Sequence, residues 1–279
     1  GLDGTRNADG AAPDGEEFFA MALFFASHRW GDDEGIYCYS EQAKKILRAC
    51  IHKGENGRPG YPMWNHENKQ ILFVLGSDFT DPSYHLPHFY ELFALWADEE
   101  DRPFFKEAAK ASREYLVKAC HPRTGMSAEY AEFDGQPMSR PLPWTKDRHD
   151  WFFSDAYRTV ANIGLDYEWF GVDVGQYEAP EKLLRFLDAR WDEHPFEIYE
   201  VDGTSLHEPA LHPVGLQVTT TQGILAVLGR TKDEESMRIA KKWLKAFFEL
   251  PLRKGDRRYY DNCLYFFAFL ALSGNYRIW

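Results

Sequence analysis

Five polar residues of the 279-residue chain stand just ahead of apolar runs and have the types needed to act on a neutral, hydroxyl-rich substrate. Asp155 lies in Trp-Phe-Phe-Ser-Asp-Ala-Tyr-Arg, residues 151–158. A carboxylate in the first turn of a helix is favoured in its charged form by the helix dipole, which suits a base rather than an acid. Arg158, three residues on, is placed to pair with Asp155 and hold it. Asp14, in Ala-Pro-Asp-Gly-Glu-Glu, reads as the N-cap of a capping box with Glu17, a role compatible with touching a ligand. Tyr84 is flanked by Pro82 and Pro87, which stiffen its backbone and offer its phenol to a water or a sugar hydroxyl. His212, between Leu211 and Pro213, reads as a hydrogen-bonding wall residue.

The elements that position these residues follow from periodicity. Nearly all-apolar helices are predicted over 15–29, 87–97, 152–170, 213–228 and 259–273. Amphipathic ones are predicted over 40–52, 101–119, 181–191 and 233–249. In 40–52 the buried face is Ala43, Ile46, Leu47, Cys50 and Ile51. Apolar helices separated by antiparallel amphipathic ones run parallel, so their N-termini meet at one end of the fold. Asp14, Tyr84, Asp155, His212 and Tyr259 all fall at those ends. The irregular stretches 53–86, 121–150 and 192–212 precede apolar helices and are expected to wall a cleft there.

Composition narrows the chemistry. A net charge of −12 argues against nucleic acid and against an anionic membrane. Aromatic residues make up 16%, which suits stacking on sugar faces as well as core packing. Cys38, Cys50, Cys120 and Cys263 show no metal spacing, and the last three read as buried thiols. His85, His88 and His212 show none either, so no metal and no cofactor is expected. There is no phosphate-binding glycine loop and no nucleophile elbow. No secretory signal or membrane span is read, and the expected location is cytoplasmic.

The run DGEEFFAMALFFASHRW from Asp14 resembles the signature of glycoside hydrolase family 8. Asp-Pro-Ser-Tyr-His-Leu-Pro-His at 81–88, Phe-Phe-Ser-Asp-Ala-Tyr-Arg at 152–158 and the terminal Leu-Tyr-Phe-Phe-Ala-Phe-Leu-Ala-Leu-Ser-Gly-Asn-Tyr extend the likeness over the chain. The resemblance implies an all-α fold, an (α/α)6 barrel, and hydrolysis with inversion. By it, Asp155 matches the catalytic base and Tyr84 the tyrosine that helps hold the attacking water. Asp14 matches the carboxylate binding sugar at the cleavage subsite; Arg158, paired with Asp155, is counted with Asp14 among the substrate-binding residues. Leu211 and His212 match a barrier that closes the reducing-end side, which implies release of xylose from xylooligosaccharides. The alternatives are an endo-acting xylanase, chitosanase or glucanase of the same family, a non-catalytic sugar-binding toroid, and a sugar epimerase on a similar helical barrel.

Two departures accompany the resemblance. The family's general acid is a Glu upstream of the Asp14 motif, and nothing upstream here matches it. Nine helices are read where the toroid has twelve. At about 31 residues each, three more would need about 93 residues. Residues 1–279 are therefore expected to be a single domain, incomplete at its N-terminus. The absent segment is expected either as a separate chain or outside this numbering. Loop 135–150 looks longer than in family members and is expected to reshape the cleft.

Overall fold

The computed structural model describes residues 3, 5, 10–143, 145, 148–193 and 196–279. Trp144, Lys146 and Asp147 of the long loop lie outside the described residues. Among the described residues there are nine α-helices: α1 Asp14–Trp30, α2 Tyr39–His52, α3 Pro87–Trp96, α4 Arg102–Ala119, α5 Arg158–Trp169, α6 Glu178–Asp188, α7 Pro213–Leu228, α8 Glu234–Glu249 and α9 Arg258–Leu272. Odd-numbered helices form an inner ring and even-numbered ones pack outside it, as in an (α/α)6 barrel. Outer helices bury one stripe each. In α2 it is Ala43, Leu47, Cys50 and Ile51, and in α6 Leu183, Leu184 and Leu187. The inner α7 is buried on nearly every side.

Contacts at both ends show that the inner helices run parallel. At their C-terminal ends His28 of α1 meets Trp96 of α3 at 4.4 Å, and Phe25 of α1 meets Trp169 of α5 at 5.9 Å. At their N-terminal ends Arg158 of α5 pairs with Asp14 of α1. α5 and α7 approach closely at Gly164, where a Cβ would stand 2.7 Å from the Gln222 carbonyl oxygen. The edge helices are less covered: Phe19 on α1 and Phe266 on α9 are 67% and 57% exposed.

Three differences from the sequence expectation bear on the site. Residues 152–170 do not form one helix. Trp151–Phe152 is a short strand, β1, and Ser154–Tyr157 is a 3-10 turn ahead of α5. β1 pairs with β2, Glu197–Glu200, which pairs with β3, Ser205–Pro209, in a three-stranded antiparallel sheet. Pairing with Tyr199 and Glu200 draws Phe152 and Trp151 out of the helix. Second, Asp14 is the first residue of α1 rather than its cap. Pro13 occupies the cap position, and the Glu17 side chain meets the Tyr90 hydroxyl at 2.5 Å instead of closing a capping box. Third, Cys50 and Cys120 are buried but Cys263 is only partly so.

Candidate functional site

The small sheet delivers two site residues. The chain leaves β1 at Phe152 and passes through Ser154, whose φ of +43° is the left-handed region, directly into Asp155. Such strain persists only where surrounding structure enforces it, and it clusters at functional sites. The chain leaves β3 at Pro209 and enters α7 through Leu211, His212 and Pro213. One sheet thus sets the approach to both Asp155 and His212.

Tyr84 is placed by a separate scaffold. Asp81 caps the 3-10 turn Pro82–Tyr84, its Oδ1 accepting from the Ser83 N–H at 2.7 Å. Asn162 of α5 donates to the Ser83 carbonyl at 2.8 Å, and Tyr90 donates to the Tyr84 carbonyl at 3.2 Å. Behind the turn, His85 bonds Thr80 at 3.0 Å and Ser112 at 2.9 Å. Its imidazole is fully buried, which lowers its pKa to about 3 and keeps it neutral.

Arg158 joins the parts. Its guanidinium meets Asp14 Oδ2 at 3.0 Å and Asp155 Oδ2 at 3.3 Å. It also lies 5.3 Å from the centre of the Tyr84 ring, a cation–π distance. Burial works against its charge, but Asp155 and its neighbours outweigh burial and hold it protonated. Asp155 also accepts a 2.5 Å hydrogen bond from the Tyr260 hydroxyl. Its side chain remains 27% exposed, and that of Asp14 28%. A carboxylate gripped by two donors yet partly open to solvent is equipped to take a proton from water. The Tyr84 and Tyr260 phenols are pushed well above their ordinary range, by burial first. Both hydroxyls therefore remain available as donors.

His212 completes the group from α7. Its ring lies 4.4 Å from that of Tyr260, and its Nδ1 meets Asp261 Oδ2 at 3.0 Å. Burial raises the Asp261 carboxyl, but hydrogen bonds from His212, the Gly215 N–H and Arg253 outweigh it and hold it low. Arg253 also donates to the Leu211 carbonyl at 2.9 Å, so the Leu-His-Pro segment is clamped from α9's approach. With Nδ1 engaged, Nε2 is the nitrogen left for a ligand. Leu211 is half-buried beside it.

Asp14, Tyr84, Asp155, Arg158, Leu211 and His212 therefore gather at the N-terminal end of the inner helices. The neighbouring Tyr259 lies at this end as expected, in the first turn of α9, but it is 81% exposed and does not join the group; Tyr260 is the residue that faces inward. The sequence reading missed Tyr260, and also Asp81, Arg253 and Glu129. Glu129 is a buried acid that bonds His149 at 2.6 Å and accepts from the Asp155 backbone N–H. Among the described residues no group of three or more His, Cys, Asp or Glu is arranged to hold a metal. No described helix is long and apolar enough to cross a membrane.

The chain as a whole has counterparts among known proteins. The sequence model of glycosyl hydrolases family 8 matches residues 3–271. The reducing end xylose-releasing exo-oligoxylanase of Halalkalibacterium halodurans is 54% identical over 278 residues, which are 99% of this chain and 68% of that protein. The corresponding enzyme of Bifidobacterium adolescentis is 52% identical over 275 residues, 99% of this chain and 70% of that one. The structure of Rex8A from Paenibacillus barcinonensis complexed with xylose superposes with a TM-score of 0.90 at 52% identity, covering 99% of this chain and 70% of that one. The ring of inner and outer helices is thus shared along almost the whole length of this chain. The chain belongs to glycosyl hydrolases family 8.

Proposed function

We propose that the chain is the larger part of an inverting glycoside hydrolase that releases xylose from the reducing end of xylooligosaccharides, with residues 1–279 as one catalytic domain. The observation that carries the site assignment is the single Arg158 guanidinium that contacts Asp14 and Asp155 and lies over Tyr84. In this reading Asp155 is the base. It takes a proton from the water that attacks the anomeric carbon, and the Tyr84 hydroxyl holds that water. Asp14 accepts hydrogen bonds from hydroxyls of the sugar at the cleavage point, with Arg158 fixing its direction. Leu211 and His212 close the cleft one sugar beyond the scissile bond. The named activities of the relatives support this choice of substrate.

Inversion needs an acid as well as a base, about 6.5–9.5 Å apart so that water fits between them. The resemblance places that acid on a Glu ahead of Asp14. The test therefore assays this chain alone and fused behind the amino-terminal part of the Bifidobacterium adolescentis relative. Xylotriose is the substrate, and the anomer first released is followed by proton NMR. Xylose released from the reducing end, with the new anomeric centre of the remaining xylobiose formed first in the configuration opposite to that of the bond cleaved, is the expected result. Retention of configuration, or random internal cuts in longer oligomers, would overturn the proposal.

A further inference from the structure

Asp81 is a fully buried acid near the reacting groups. It is 0% exposed, and its Oδ2 has no hydrogen-bond partner. Its Oδ1 and its backbone carbonyl are both engaged by the turn that ends in Tyr84, at 2.7 Å from the Ser83 N–H and 3.0 Å from the Tyr84 N–H. The same strand edge fixes it relative to Asp155. Thr80 and Ala131 exchange two backbone hydrogen bonds of 3.0 Å, and two residues earlier Glu129 donates to the Trp151 carbonyl at 2.8 Å. Asp81 and Asp155 thus hang from two sides of one extended segment, 129–131.

We propose that Asp81 is a positioning residue: an uncharged carboxylic acid that caps the Tyr84 turn and stands beside Asp155 without drawing Arg158 away from it. The inference rests on the hydrolase reading above. The groups around Asp81 are Asp155 and Arg158 from the head of α5, Tyr84 of its own turn, Tyr115 of α4, Tyr130 of the extended segment and Tyr260 of α9. The four phenols are pushed up by burial and carry no charge in the working range. Only Arg158 is cationic, and the ion pairs it forms go to Asp14 and Asp155. A buried carboxylate without a contacting cation is strongly disfavoured, so Asp81 keeps its proton. Burial and the nearby Asp155 charge both push in that direction. Because Oδ1 accepts from Ser83, the proton resides on Oδ2. A charged Asp81 would set three carboxylates in competition for one guanidinium and weaken the hold on Asp155.

Asparagine reproduces the shape, the capping oxygen and the donor of a protonated aspartate. Asp81→Asn should therefore leave kcat within about threefold and leave the acid limb of the kcat–pH profile in place. Asp81→Ala removes the cap. It should lower kcat by about 10- to 100-fold with KM within about threefold, because Tyr84 is no longer aimed. Difference infrared spectra of the 279-residue chain at pH 7, wild type minus Asp81→Asn, should show one protonated carboxyl band lost. If Asp81→Asn instead moves the acid limb to lower pH, or removes an ionised carboxylate band, Asp81 is charged and the proposal fails. It fails also if Asp81→Ala folds and keeps wild-type kcat. Should Asp81→Ala not fold, the acid limb and infrared band of Asp81→Asn decide alone. The rate measurements use the chain fused behind the amino-terminal part of the relative; a fused wild-type protein that releases no xylose would overturn the hydrolase reading, while the infrared comparison would still decide the charge state of Asp81.

Discussion

Helix α5 carries a guanidinium–carboxylate cluster near each end, and the two are built on opposite principles. Toward its C-terminal end Asp166 is completely buried. It accepts from Arg113 Nε at 3.0 Å and Nη2 at 2.7 Å, and from Tyr177 at 3.0 Å. Arg113 spends its remaining nitrogen on Glu91 at 2.5 Å. At the N-terminal end, Arg158 Nε and Asp81 Oδ2 have no partner, and Asp155 and Asp14 keep over a quarter of their side chains in solvent. A buried ionic network is stable only when its donors and acceptors are matched. The Asp166 cluster meets that condition and ties α4 to α5. The Asp155 cluster leaves valences open at the mouth of the ring, where a substrate can fill them. Two sites of the same residue types on one helix are told apart by how completely they are satisfied.

The comparison breaks most sharply on a pair of variants. In the enzyme completed by the amino-terminal fusion, Asp155→Ala should lower kcat by about 10²–10⁴-fold or more, since inversion has no covalent intermediate to bypass the base. Its urea midpoint should stay close to that of wild type, because the site is half open. Asp166→Ala should do the reverse. It strands Arg113, 3% exposed, without its main counter-charge, at a cost of about 3–5 kcal/mol in stability. The molecules that stay folded should retain kcat. Equal loss of stability in both variants, by urea denaturation at pH 7, would erase the distinction.

Sequence reading reached the first cluster and not the second, for physical reasons. Asp155 and Arg158 lie three residues apart at the head of an aromatic run, so their pairing is local. Asp166 and Arg113 are 53 residues apart, and only folding joins them. The helix ring was readable because its signal is long and periodic: 213–228 matches α7 end to end. The sheet was not, since strands of two, four and five residues are too short for alternation to stand out. Yet Glu-Ile-Tyr-Glu and the Asp202-Gly203 turn, where Gly203 has φ +96°, are a weak hairpin signal that was there to be used. Tyr260 was missed because α9 is apolar on nearly every face. Hydropathy then leaves its rotation undetermined, and only the turn clamped by Arg253 and Asn262 sets it.

Proton linkage sharpens the contrast between sealed and open groups. His85 and His88 are fully buried, and burial lowers both pKa values to about 3. The unfolded chain takes up protons at about 6.5 while the folded one does not, so stability falls as pH drops from about 6.5 toward 3. At pH 5 each histidine should cost about 2 kcal/mol relative to neutral pH. Urea denaturation of wild type and His88→Gln at pH 7 and pH 5 isolates one of them. The gap between the two proteins should shift by about 2 kcal/mol in favour of the variant at pH 5. An unchanged gap would mean that the His88 site admits the charged ring. Groups at the cleft should report pH through rate instead.

His212 tests the open end where the expected effect is smallest. It is 5% exposed and fixed by Asp261, so it resembles a structural residue; its place against Tyr260 gives it a second role. Pro213 holds φ near −65° at the entry to α7, and Arg253 pins the Leu211 carbonyl, so the wall has little freedom to yield. A rigid wall with one free imidazole nitrogen discriminates by leaving that nitrogen unmatched when the wrong group arrives, worth about 1–3 kcal/mol. His212→Ala should therefore keep the chemistry, since Asp155 retains Tyr260 and Arg158. It should lose preference for a free reducing end by about 5- to 150-fold, the same 1–3 kcal/mol. The measurement is the ratio of kcat/KM on xylotetraose and on its borohydride-reduced alditol, together with the products from xylohexaose. A smaller ratio with some disaccharide released would place His212 in the barrier. An unchanged ratio with xylose as the sole small product, alongside a lower melting temperature, would make the Asp261 contact its whole purpose. The site would then be closed by Leu211 and the sheet behind it.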